Sequence, residues 1–170
     1  MNIALIGFMG TGKTTVGKKL ASRLNYKFVD LDQEIVAEDG REICEIFAQA
    51  GEDYFRDLET RVTAKIAQKD KQVIATGGGV VLREENIKNL KKNGFLVLLQ
   101  ATPEEILERT KSDDDRPLLD VEEPLAKIKK MLEERAEKYN CTPYQINTTG
   151  LTINEVVAEI INNEELTSDN

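Results

Sequence analysis

Gly7-Phe8-Met9-Gly10-Thr11-Gly12-Lys13-Thr14 fits G-x-x-x-x-G-K-[ST] and directly follows the apolar run Ile3-Ala4-Leu5-Ile6. A strand that feeds such a turn makes a phosphate-binding loop. The glycines let backbone N–H groups face a β-phosphate, Lys13 reaches the β/γ oxygens, and the Thr14 hydroxyl can ligate Mg²⁺. Gly10, Thr11, Gly12, Lys13, Thr14 and Thr15 are therefore the candidate ATP-phosphate cradle. Val16, Leu20 and Leu24 then recur at helical spacing, so a helix starts at the loop and adds the partial positive charge of its N-terminus. A glycine-rich turn with an incidental lysine would require neither the strand before it nor the helix after it. The pattern implies nucleoside triphosphate chemistry.

Outward from the loop, strand-like runs alternate with helical ones: Ile3 to Ile6, Lys27 to Val29, Val73 to Ala75, Phe95 to Leu99 and Tyr144 to Asn147. This alternation predicts an α/β fold with a five-stranded parallel sheet flanked by helices. Thr102-Pro103-Glu104-Glu105 reads as an N-cap, a proline at the first helical position and a capping-box Glu; Thr152 and Glu155 repeat the box before a last helix. From Leu31 to about Gln68 no strand is legible, only helical patterning broken at Asp39-Gly40 and Gly51. A helical insertion after the second strand lies at the carboxyl edge of the sheet, where such folds bind ligands, and is the expected seat of a second substrate.

Composition narrows the function classes. The chain has 170 residues, 40% hydrophobic and 32% charged, with a net charge of −8. One domain over 1–170 with a real core is expected. The acidic balance does not supply the basic face that a nucleic acid needs. No apolar run approaches membrane-spanning length, and the first residues enter a strand without a basic leader, so a cytoplasmic protein is expected. Cys44 and Cys141 lack metal-knuckle or disulfide spacing, and both read as reduced thiols. Histidine is absent, which leaves carboxylates or water for any general base.

Five further places carry candidate chemistry. Asp30 and Asp32 end the second strand and could hold a metal and an acceptor hydroxyl, or cap the next helix, since Asp30 with Gln33 also fits a capping pattern. Arg135 occupies a missing member of the apolar stripe Leu125, Ile128, Leu132, Tyr139. Its guanidinium either snorkels to water or meets a buried anion such as a carboxylate. Arg56, beside Phe55, is a second cationic clamp that Glu59 at i+3 can orient, or one half of a surface ion pair. Gly77-Gly78-Gly79 permits close approach to the main chain. Ser112 to Asp120 carries Arg116 among aspartates, either in a solvated loop or at a ligand.

Together, the phosphate loop, Phe28-Val29-Asp30-Leu31-Asp32, Gly51-Glu52 to Phe55-Arg56, Thr76-Gly77-Gly78-Gly79, Arg116-Pro117-Leu118-Leu119 and Arg135 to Tyr139 resemble the shikimate kinase family over nearly all the chain. The resemblance implies a P-loop kinase of the nucleoside-monophosphate-kinase-like architecture that uses ATP and Mg²⁺ to phosphorylate the 3-hydroxyl of shikimate. It matches Asp32 to the acceptor hydroxyls, with a base or positioning role, and Asp30 with Thr14 to the metal. Arg56, Gly78, Gly79 and Arg135 fall on the shikimate side, and Arg109 falls near adenine. A lid over about 110–122 would bring Arg116 onto the phosphates, so Lys13, Asp32 and Arg116 form the implied catalytic set. A monomer is expected. Thr76 stands where P-loop proteins usually place a metal-binding aspartate at that strand end, and the chain departs from the family at Asn147-Thr148-Thr149-Gly150, where many members place a basic residue near adenine. A kinase for another hydroxy acid, such as gluconate, shares the loop and sheet but not the set of Asp32, Arg56, triple glycine and Arg135. A nucleotide switch would carry D-x-x-G and N-K-x-D, and neither occurs here.

Overall fold

A computed structural model of the chain describes residues 1–111 and 122–163. In chain order the elements are β1 (Asn2–Ile6), α1 (Lys13–Leu24), β2 (Lys27–Asp30), α2 (Leu31–Asp39), α3 (Ile43–Ala67), β3 (Gln72–Ala75), α4 (Glu84–Lys92), β4 (Gly94–Gln100), α5 (Pro103–Thr110), α6 (Pro124–Tyr139), β5 (Gln145–Asn147) and α7 (Ile153–Ile161), with a single 3₁₀ turn at Val80–Leu82. The five strands form one parallel sheet in the order β2-β3-β1-β4-β5. The helical stretch expected from Leu31 to Gln68 is α2 and α3, with no strand within it.

Period-two alternation in the strands sorts the core into two layers. Ala4, Ile6, Val29, Ile74, Leu96 and Leu98 face the layer that packs α3, α4, α5 and α6. Ile3, Leu5, Val73, Val97, Leu99 and Ile146 face α1 and α7 through Val16, Leu20, Val156, Val157 and Ile160. Because helices cover both faces, β1 is apolar at four of its five positions and buried at all five.

Parallel order puts every strand's carboxyl end on one edge, and β1, between β3 and β4, is the strand where the order reverses. The phosphate loop after β1, Asp30 at the end of β2 and the glycine loop after β3 therefore share that edge. The insertion is shaped by two glycines read from the sequence as breaks. Gly40 ends α2 in the left-handed region at φ 85, and Gly51 interrupts α3 at φ 84, ψ 172. Capping departs from expectation at α5. Thr102 accepts from the Glu105 N–H, but the Glu105 carboxylate turns to Arg109 instead of closing the box. At α7 Thr152 and Glu155 close it fully.

Candidate active site

In the phosphate loop the Lys13 ammonium donates to the Gly7 and Phe8 carbonyls at 2.8 Å each, and the Thr11 hydroxyl donates to the Phe8 carbonyl at 2.8 Å. Gly12 precedes α1 with φ 94, a left-handed turn that aims the first helical N–H groups into the loop. Lys13 is 8% exposed, so its charge sits in a largely desolvated place beside that helix terminus. The loop combines a fixed cation, the N-terminal N–H groups of a helix and little exposure to water, the requirements for holding a phosphate.

Thr14 and Asp30 meet: the hydroxyl donates to Asp30 Oδ2 at 3.2 Å. The other Asp30 oxygen, Oδ1, accepts from the Asp32 N–H at 3.1 Å and caps α2. The two alternatives for Asp30 are thus both realised, one per oxygen, and the cap runs through Asp32 rather than Gln33. Thr76, in place of the usual metal-binding aspartate, is 5% exposed and donates its hydroxyl to the Leu5 carbonyl at 3.0 Å, so it belongs to the sheet rather than to a metal site. Among the described residues no group of three or more Asp, Glu, Cys or His converges as a metal site.

The triple-glycine loop is where the residues expected on the acceptor side converge. A Cβ on Gly77 would stand 2.8 Å from Asp32 Oδ1, one on Gly78 would stand 3.2 Å from the Met9 nitrogen, and one on Gly79 would stand 2.5 Å from the Arg56 guanidinium nitrogens. Missing side chains here let Asp32, the phosphate loop and Arg56 crowd a single turn. Arg56 is held from beneath by Glu59 at 2.9 Å and from the rim by Glu52 at 3.3 Å. Its side chain is 12% exposed and that of Glu59 2%, which makes the inner pair a buried one rather than a surface pair. Burial pushes the Glu59 carboxyl above its usual range, against the pull of Arg56.

Arg135 points inward. Its Nη1 donates to the Gly78 carbonyl at 3.4 Å and its guanidinium lies 5.9 Å from the Phe8 ring centroid. One turn further on, the Tyr139 hydroxyl donates to the same carbonyl at 2.6 Å. Tyr139 reads from the sequence as one more apolar stripe residue, and nothing in the pattern signals its hydroxyl contact. Phe8, an unspecified position of the loop motif, is likewise invisible as a partner of Arg135.

Arg109 lies on the opposite side of the phosphate loop from Asp32. It pairs with Glu105 at 2.9 Å and donates to the Gly10 carbonyl, the Thr148 hydroxyl and the Thr148 carbonyl at 3.3, 3.0 and 3.1 Å. A cavity of about 450 Å³ opens beside it, lined by Thr15, Val16, Leu151 and Ile153 among others. Thr148, in the segment that departs from the basic pattern, thus receives the arginine from α5. Arg116 and most of the expected lid fall outside the described residues.

A parallel 2-3-1-4-5 sheet, a phosphate loop after β1 and a helical insertion after β2 define a P-loop fold of kinase-like architecture. The family model described as shikimate kinase matches residues 9–165. A shikimate kinase of Thermodesulfovibrio yellowstonii is 50% identical over 99% of this chain and 97% of its own length. Among solved structures, shikimate kinase from Acinetobacter baumannii in complex with shikimate superposes with a TM-score of 0.91 at 38% identity, covering 99% of this chain and 93% of that one. The Aquifex aeolicus enzyme gives 0.82 at 40% identity, covering 95% and 94%. The chain belongs to the shikimate kinase family.

Proposed function

We propose that the chain transfers the γ-phosphoryl group of ATP to the 3-hydroxyl of shikimate, yielding shikimate 3-phosphate and ADP, and that the residues along the carboxyl edge divide into a nucleotide side and an acceptor side. The observation that carries this reading is the meeting of Asp32, Arg56 and Arg135 around Gly77-Gly78-Gly79, directly against the phosphate loop. On the nucleotide side, the Gly10 to Thr15 backbone and Lys13 hold the phosphates, and the base lies in the cavity beside Arg109. On the acceptor side, Arg56 and Arg135 pair with the shikimate carboxylate, while the Gly78 and Gly79 main chain borders the ring.

Asp32 orients the 3-hydroxyl and accepts its proton as the new O–P bond forms. Lys13 stabilises charge on the transferred group, and Arg116 does so from the lid over about 110–122. Catalysis here is positioning and electrostatics rather than covalent chemistry. The residues fit a magnesium ion, because Thr14 and Asp30 put two hard oxygens 3.2 Å apart at the mouth of the loop. Bound there with phosphate and water oxygens, Mg²⁺ would neutralise the β and γ charges. We further propose a single-domain monomer in the cytoplasm; among the described residues no helix is long and apolar enough to cross a membrane.

A coupled ADP-release assay with shikimate, gluconate and no acceptor tests the reading, with turnover expected on shikimate alone. Asp32→Asn should lose about 10²-fold in kcat, the usual scale for a removed acid–base group, with ADP affinity unchanged. Turnover of gluconate in place of shikimate, or full activity of Asp32→Asn, would defeat it.

A further inference from the structure

The Gly78 carbonyl receives two donors from one helix, and they are unequal. Tyr139 donates at 2.6 Å, a short hydrogen bond, whereas Arg135 donates at 3.4 Å, longer than the usual N–H···O distance and so a weak contact. Both sit on the inner side of α6, a turn apart, and Tyr139 is 6% exposed. Burial pushes the tyrosine up to about 12, so it keeps its proton at any working pH.

We propose that Tyr139 is a positioning residue for shikimate binding: it keeps the Gly78 carbonyl satisfied when Arg135 leaves that carbonyl for the substrate carboxylate. The inference rests on the reading of Arg135 as a carboxylate clamp. A guanidinium that forks onto a carboxylate aligns two N–H groups with the two oxygens, a geometry that competes with a carbonyl off to one side. Without Tyr139, the departure of Arg135 would strip the half-buried carbonyl of its donors and set that loss against binding. The neighbourhood makes the anchor matter more. Three successive glycines have broad backbone freedom, and a Cβ on Gly78 would stand 3.2 Å from the Met9 nitrogen of the phosphate loop, so the turn lies close against the loop and a rotated Gly78 peptide would disturb the acceptor site and its junction with the loop. The tyrosine thus fixes the one turn against which Asp32 and Arg56 are also set.

Tyr139→Phe keeps the ring and removes only the donor. Calorimetry and steady-state kinetics of the full chain should show shikimate affinity weaker by about five- to tenfold, with KM rising in step, the size expected for one lost donor. The kcat and the ADP affinity should stay near wild type, a split that a general packing defect would not produce. In an Arg135→Ala background, adding Tyr139→Phe should change shikimate affinity little further, because no arginine leaves the carbonyl. If Tyr139→Phe binds shikimate like wild type while Arg135→Ala binds it weakly, the clamp stands and the tyrosine proposal falls. If Arg135→Ala itself binds like wild type, the clamp reading falls and takes the proposal with it. Equal losses of shikimate and ADP affinity in Tyr139→Phe would overturn the proposal in favour of a purely structural role, and strict additivity in the double variant would do the same.

Discussion

Glu59 carries the most consequential charge below the proposed acceptor site. Its carboxyl titrates above the usual range because burial outweighs the attraction of Arg56, with nearby Asp32 raising it further. An acid whose folded pKa is raised binds more protons folded than unfolded, so its favourable contribution is present below the unfolded value and lost as pH rises through the folded one. Arg56→Ala removes the chief opposing cation and enlarges that shift. The variant should be less stable than wild type by about 3 kcal/mol near neutrality, the scale for orphaning a buried charge. The deficit should shrink as the pH falls toward about 4, near the unfolded Glu value. Urea unfolding across that range checks it, and a deficit independent of pH would exonerate Glu59. The Arg56–Glu59 pairing was legible as an i,i+3 spacing, because both partners lie on one helix. The Arg135–Gly78 and Tyr139–Gly78 contacts were not, since they join positions 57 and 61 residues apart.

At the scale of elements, α3 is two helical pieces turned at Gly51. The angles there, φ 84 and ψ 172, lie in a region essentially reserved for glycine, although a Cβ would meet nothing within 4 Å. The constraint is therefore in the backbone rather than in crowding. Gly51→Ala should cost roughly 1–3 kcal/mol of stability by denaturant unfolding. It should also raise the shikimate KM more than the ATP KM, because the second piece carries Phe55 and Arg56 to Gly79. An unchanged midpoint would show that the turn tolerates a side chain. The break itself was readable, since glycine inside a helical pattern costs helix propensity. At α5 the sequence suggested a full capping box and the protein forms half of one. The Thr102 N–H that would close the box donates to the Thr149 hydroxyl at 3.0 Å, which leaves Glu105 to pair with Arg109, one turn on, at 2.9 Å.

The whole molecule separates stability from chemistry along the strand direction. At the amino edge of the sheet, opposite the site, Asn2 is 2% exposed and donates to the Ala67 and Lys69 carbonyls at 3.4 and 2.6 Å. Its oxygen accepts from the Gln72 N–H at 3.0 Å, so one side chain ties β1 to the end of α3 and the start of β3. Asn2→Ala should destabilise the fold by about 1–3 kcal/mol, the cost of buried groups left unpaired, and leave kcat/KM for shikimate at the wild-type level. A matching loss of activity at a temperature well below the melting point would contradict that separation.

The sequence by itself determined the phosphate loop, the parallel alternation and the helical insertion, because these depend on short-range spacing: a motif of eight residues, a period of two or 3.6, a glycine at a break. Tertiary structure alone decided which residues meet. It gave Asp30 one oxygen for the α2 cap and one for Thr14, turned Thr76 into the sheet, set Arg109 on Thr148, and gathered Asp32, Arg56, Arg135 and Tyr139 around one glycine turn. The reason is the parallel sheet: strands distant in sequence end side by side on a single edge, so contacts across that edge leave no periodic trace along the chain.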